Sequence, residues 1–228
     1  MPAKKNNLFL DILFSVVVPS IILMKFSSKE QLGPLYGLLI ALAFPLGWAA
    51  YDLIKSKTVN FIAALGLVSV LLTGGIGLFE LDNKWLAIKE AMVPAIFGII
   101  VFASGFGKSP LVRKFLLDTG LMKTQLINQR LDEVGKTQEF NKRIRLANLY
   151  LSLTFAFSSV MNFILAKWLV TAPTGSEEFN DQLGQLTLLS YPMIAIPAWI
   201  MMVAILFYIW RTLTQLTGLD MEQLIEGD

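Results

Sequence analysis

A lysine and a glutamate, Lys89 and Glu90, sit side by side about one turn inside a long apolar segment that opens at Trp85. An ionisable group near the centre of a membrane helix costs roughly 2.5 to 3.5 kcal/mol even on the lenient insertion scale. Such a group must find a partner, reach water, or extend to the headgroups. Glu80, Asp82 and Lys84 precede the pair by a few residues and complete a small charged cluster. The cluster has two chemical readings. Mutual pairing would tie two helices together at the membrane interface, and titration would make the same residues the mouth of a solute or proton pathway.

Two further polar sets repeat at helical spacing. Tyr150, Thr154, Ser158 and Asn162 follow one another at i+4 and share a face, with Ser159 beside them. In lipid an amide such as that of Asn162 bonds to a neighbouring helix, at a gain of about 0.6 to 2 kcal/mol; a hydrated or substrate-lined groove would use the same ladder. Gly66, Ser69, Thr73 and Gly77 recur at i+3 and i+4 steps, overlapping the stretch LLTGGIGLFELD. Small residues on one face let another helix backbone come close. The alternative is that Gly74 and Gly75 loosen the helix, as at the broken helices of transporters. The candidate binding residues are therefore Lys89, Glu90, Asn162, Ser158, Thr154, Thr73, Gly74 and Gly75.

The chain contains no His and no Cys. That removes the usual zinc, haem and iron–sulfur ligands together with thiol nucleophiles and disulfides. The residues predict no catalytic group, no metal and no cofactor, hence not an enzyme. On the cytoplasmic side Asp11 with Asp52 is the one carboxylate pair from which a lipid-modifying reaction could be built, and spacing alone does not bring them together. No basic stripe with interleaved aromatics points to nucleic acid.

The elements that must hold these residues follow from composition. Of the 228 residues, 55% are hydrophobic and 16% charged, and the mean hydropathy is +0.62. A soluble domain carries about a quarter charged residues, so the solvent for most of this chain is lipid. A hydrocarbon core about 30 Å thick needs about 20 mostly apolar helical residues. Six segments qualify: Leu8 to Met24, Leu32 to Leu53, Phe61 to Phe79, Trp85 to Phe106, Leu146 to Val170 and Leu186 to Tyr208. They predict an all-α membrane protein, a six-transmembrane-helix bundle in one transmembrane domain over residues 1–228. The first segment follows Lys4 and Lys5 like a signal peptide, but the sequence after it lacks a small-residue cleavage pattern, so it reads as an uncleaved span.

Lys and Arg decide orientation, because basic flanks stay in the cytoplasm. With the amino terminus inside, 14 of the 19 Lys and Arg residues fall on the cytoplasmic side. Both termini are thus predicted to be cytoplasmic. The loop from Gly107 to Arg145 is the one long connection, and Leu121, Leu126, Ile127 and Leu131 give it the pattern of a short amphipathic helix on the cytoplasmic surface. It reads either as a solvated linker or as a contact for a partner or for lipid headgroups. The outer loop from Thr171 to Gly184 is acidic through Glu177, Glu178 and Asp181.

Prolines at 19, 45, 94, 192 and 197 predict kinked helices. The short match between VVVPSIIL around Pro19 and AMVPAIFG around Pro94 would, as a repeat, divide the chain into two inverted three-helix halves.

As an ordered set, TGGIGLFELD, KWLAIKEAMVPAIFG, KSPLVRKFL and LANLYLSLTFAFSSVMNFILAKWL resemble the bacterial intracellular septation protein A family of small inner-membrane proteins, and a longer branch of it in particular. The matching features run from the second predicted span to the sixth. They are the double glycine Gly74 and Gly75, Lys89 early in the next span, the turn with Lys108, Pro110 and Leu111, and Asn162. This chain carries additional residues at about 120–140 and in the acidic outer loop. The resemblance implies the bacterial inner membrane and a role in envelope maintenance or septation without catalysis. The expected partners are membrane lipids, and other inner-membrane, division or envelope proteins; sequence sets no oligomeric state. The competing expectation is a small-solute or lipid transporter, proton-coupled through Lys89 and Glu90, with Asn162 as a ligand at the midplane.

Overall fold

The structure, a computed structural model, describes residues 12–56, 61–118 and 122–225, and the side chains of all of these except 52–56, 61–67, 118 and 221. Asp11 and the side chain of Asp52 lie outside that set, and so does Leu121. The chain runs through α1 (Leu13–Phe26), α2 (Gly33–Ser56), α3 (Phe61–Leu78), α4 (Lys84–Ser104), α5 (Leu111–Asp118), α6 (Thr124–Glu133), α7 (Thr137–Leu169), α8 (Glu177–Thr217) and α9 (Met221–Leu224). Among the described residues the only strand-like feature is an isolated bridge between Met122 and Ile225.

Among the described residues, four helices can cross a membrane by length and composition: α4, α7, α8 and the Gly33–Tyr51 stretch of α2. Leu13–Phe26 and Val68–Leu78 are shorter apolar helices. Two helices extend well past their apolar segments. α7 begins at Thr137 rather than Leu146 and has 33 residues; α8 begins at Glu177 rather than Leu186 and has 41. At 1.5 Å per residue these are about 50 and 60 Å long, more than a bilayer core needs.

Hydropathy finds the part of a helix that lipid tolerates and misses the part that protein packing supports. The start of α8 shows this. The expected acidic loop is helical from Glu177, where the Ser176 hydroxyl accepts from Phe179 N at 3.0 Å and Glu177 and Glu178 sit favourably against the positive end of the helix.

Among the described residues two helices contain π-helical turns, Leu13–Val17 in α1 and Tyr191–Ala195 in α8. Each turn holds the carbonyl four residues before a proline, that of Ser15 for Pro19 and that of Met193 for Pro197. A proline ring would press on that carbonyl in an α-helix, and the wider π turn accommodates it. Pro45 and Pro94 instead lie inside α-helical stretches of α2 and α4.

The chain forms two compact units, and neither is a sequential half of it. One comprises residues 1–93 and 160–195, the other 94–159 and 196–228, so the boundaries fall inside α4, α7 and α8. The first unit is built around Leu38, Ile76, Leu86, Leu165, Phe179 and Leu183. Within it α8 lies directly on α1: a Cβ on Gly184 would stand 3.0 Å from the Ser20 carbonyl oxygen and 2.6 Å from Met24 Cγ. Glycine lets these backbones approach.

The second unit is built around Ile127, Leu131, Phe140, Ile144, Leu213 and Leu224. Here the 107–145 connection holds the expected short amphipathic helix, α6, with its apolar face packed inward. Ile127 and Leu131 of α6 are fully buried, and Lys123 N donates to the Leu224 carbonyl at 2.8 Å. The amphipathic face is covered by the end of α8 and the carboxy-terminal segment.

Candidate functional site

Lys89 lies in the first unit, on α4, and is buried at 7% exposure. Its ammonium has three donors and three partners: Thr73 Oγ1 at 2.8 Å, Ser69 Oγ at 3.3 Å and Glu90 Oε1 at 2.6 Å. Glu90 is partly exposed, with 27% of its side chain accessible. Thr73 hands its own proton to the Ser69 carbonyl at 3.1 Å, which leaves its oxygen lone pairs facing the lysine. The i, i+4 spacing of Ser69 and Thr73 on α3 is what presents two hydroxyls to one cation.

The predicted charged cluster separates into two parts. Lys84 pairs with Asp82 at 3.7 Å, and both side chains are largely exposed, so this pair contributes little. Glu80 forms no ion pair among the described residues and turns the chain with φ of 50°.

The glycines beside Thr73 serve packing. α3 runs without a break through Gly74 and Gly75. A Cβ on Gly74 would come within 2.8 Å of Leu42 Cδ1, and one on Gly77 within 2.6 Å of Leu38 Cδ2, so this face is pressed against side chains of α2.

Two hydroxyls of the α7 ladder bond within their own helix. The Thr154 hydroxyl bonds the Tyr150 carbonyl at 3.0 Å and the Ser158 hydroxyl bonds the Thr154 carbonyl at 3.1 Å, both within the same helix. Thr154 is buried, whereas Ser158 and Asn162 are half-buried and each has an interaction of its own. Thr154 and Ser158 belong to the second unit and Asn162 to the first.

The asparagine that sequence reasoning passed over is Asn148, in the second unit and 1% exposed. Its Nδ2 donates to the Val101 carbonyl at 2.7 Å, and its Oδ1 accepts from Val112 N at 3.3 Å. The Ser104 hydroxyl, bonded to the Val101 carbonyl at 2.6 Å, stands 3.3 Å from the same Oδ1 and accepts from Leu111 N at 3.1 Å. One turn earlier on α7, Arg145 donates to the carbonyl of Gly105 and, at 3.0 Å, to that of Gly107. Together Asn148 and Arg145 hold the turn between α4 and α5, which carries Lys108, Pro110 and Leu111. Asn148 sits two residues inside the predicted span, where it looked like an interface residue; its partners are mostly backbone groups, which have no sequence signature.

Asn180 does the corresponding work at the start of α8. Fully buried, it donates to Ser27 Oγ at 3.1 Å and to the Pro34 carbonyl at 2.8 Å. Asn83 joins the start of α4 to the end of α7 through the carbonyls of Val170 and Ala172 at 3.2 and 2.7 Å. Among the described residues the buried atoms left without a partner are Ser20 Oγ, Asn180 Oδ1 and Thr212 Oγ1. No group of three or more His, Cys, Asp or Glu among the described residues is placed to hold a metal ion.

No family model, no curated protein and no solved structure matches this chain. What the fold and the polar contacts define is a class: a helical protein with membrane-length apolar helices in which Lys89, Asn148, Asn180 and Asn83 are bound to other side chains and to its own backbone.

Proposed function

We propose that this chain is a non-enzymatic, multi-pass membrane protein that acts through contacts with lipids or with other membrane proteins, in the manner of an envelope or septation factor. The observation that carries the reading is the saturation of Lys89, whose three donors are taken by Ser69, Thr73 and Glu90. A residue so bound ties α3 to α4 and leaves no donor for a passing solute. The bonds of Asn148 and Asn180 and the close approach of α3 to α2 add support. The septation-family resemblance and the bacterial inner membrane with both termini cytoplasmic belong to the same proposal. Its finer topology is six crossings, with α1 and α3 completing the four long helices, and two inverted three-helix halves if the Pro19 and Pro94 segments are a repeat.

One observation favours a transporter as the second reading: a buried cation beside a partly exposed carboxylate, on a helix long enough to span, is a unit that could exchange protons. The absence of native cysteine gives a direct test. Single cysteines at Asn162, Ser158, Thr73 and Lys89 are challenged with a membrane-impermeant thiol reagent from each side of oriented vesicles. Protection at the three sites other than Lys89, with reaction of Lys89→Cys alone and from the outer side, is the expected result. Labelling at Asn162 or Ser158 would reveal a water-filled path and replace this reading with the transporter.

A further inference from the structure

In the second unit α7 and α8 leave an apolar groove of about 350 Å³ between Tyr150, Leu153 and Thr154 on one side and Met201, Ala204 and Tyr208 on the other. The only hydroxyl of its threonine is already bonded to the Tyr150 carbonyl, so the groove floor offers no free polar group from that residue. Its end is different. The Tyr150 and Tyr208 rings meet edge to face at 5.8 Å, and neither phenol oxygen has a hydrogen-bond partner among the described residues. On α8 the steps Ala204, Tyr208, Arg211 follow one stripe at i+4 and i+3, which places Arg211 one turn beyond the tyrosines. Arg211 is exposed, and its guanidinium has neither an ion pair nor a hydrogen bond among the described residues. On α7 the stripe that holds Tyr150 continues through Leu146 to Lys142, which is likewise exposed and unpaired. The hydrogen bond from Arg143 to Gln215 Oε1, 3.1 Å, shows that the two helices remain neighbours at that level.

An apolar trough that ends in two phenols, with an arginine one turn farther along α8, suits a long hydrocarbon chain with an anionic head. Tyrosine is at home where one end of the ring is apolar and the other wet, and a guanidinium binds phosphate oxygens in a planar fork. A polar solute would find no partner in the trough. A neutral hydrocarbon would leave the phenols and Arg211 unused. We propose that this groove is a binding site for one anionic phospholipid, with an acyl chain along Leu153, Met201 and Ala204 and its phosphate held by Arg211 and the tyrosine hydroxyls, assisted by Lys142. The site gives a specific chemistry to the lipid contacts proposed above and rests on that reading.

The full chain, purified in detergent and delipidated, is titrated with phosphatidylglycerol and with phosphatidylcholine of identical acyl chains, and bound lipid is counted by native mass spectrometry. The expected result is a single tight phosphatidylglycerol, favoured over phosphatidylcholine by about five- to tenfold. Arg211→Gln removes most of that preference, Arg211→Lys keeps part of it, and Lys114→Gln, away from the groove, leaves it intact. Ala204→Phe fills the trough and weakens retention of both lipids. Circular dichroism and gel filtration of each variant confirm that the fold persists. Equal retention of the two lipids by the wild-type chain, or an unchanged preference in Arg211→Gln, overturns the site. The outcome is separable from the thiol test: labelling at Asn162 or Ser158 removes the dry-bundle reading without altering lipid counts, and equal lipid retention removes this site without hydrating the bundle.

Discussion

Lys89 in one compact unit and Asn148 in the other do the same structural work with different chemistry. Each is buried and each bridges helices through three polar partners or more. Lys89 bonds to side chains, one of them charged, so its net worth is the small difference between a large desolvation cost and a large attraction. Asn148 is neutral and bonds mainly to peptide groups at the end of α4 and the start of α5; the Val101 carbonyl has the Ser104 hydroxyl as well, and the Val112 N–H would otherwise be left without a partner. The lesson is that the conspicuous residue can be replaced together with its partner, whereas the inconspicuous one cannot, because a backbone amide has no variant.

The largest effect that would sharpen this contrast is expected at Asn148. Asn148→Leu strips the Val112 N–H of its partner and the Val101 carbonyl of one of its two, and should cost about 2 to 3 kcal/mol, read as unfolding in mixed micelles by tryptophan fluorescence. No second side-chain substitution should restore it. Lys89→Met should cost about 2 to 3 kcal/mol because Glu90 then lacks its cation, discounted for the partial exposure of Glu90. Adding Glu90→Gln should return the protein to within about 1 kcal/mol of wild type. If the double variant is as unstable as Lys89→Met, or if a single substitution rescues Asn148→Leu, the contrast fails.

Smaller effects compare helix contacts in the two units. Gly184→Ala pushes a methyl group against the Ser20 carbonyl and Met24 and should destabilise by about 1 to 2 kcal/mol. Gly98→Ala meets Phe155 Cβ at 3.2 Å and the Ser152 carbonyl at 3.5 Å, a looser fit, and should cost less than about 1 kcal/mol in the same assay. A reversed order would mean that α1 yields to α8 more readily than α4 yields to α7.

Much of this was legible in the sequence, for identifiable reasons. A charged residue in an apolar run marks itself, and Ser69 and Thr73 repeat at the helical period, so the elements of the Lys89 group could be read before their contacts were known. The four long helices were visible for the same reason, since lipid tolerates only continuous apolar helix. The polar beginnings of α7 and α8 were not visible. Phe140 and Phe179, both fully buried, lie in those extensions among Glu, Gln, Asn and Lys, where hydropathy reads a loop. Their burial depends on segments remote in sequence: the carboxy-terminal end for Phe140, and α1 and α2 for the start of α8.

By itself, the sequence determined the solvent, because more than half of the residues are apolar and lipid selects for unbroken helix. It also determined the helix periods, which put Ser69 with Thr73 and Tyr150 with Thr154 on common faces. Only the tertiary structure decided which of those faces meet. It set Lys89 on Ser69 and Thr73, turned the Thr154 and Ser158 hydroxyls to carbonyls of their own helix, and gave Asn148 the turn between α4 and α5. The physical reason is that side-chain periodicity is a local property of the chain. The carbonyls and amides that complete a buried polar group are identical at every residue until folding brings a particular few within reach.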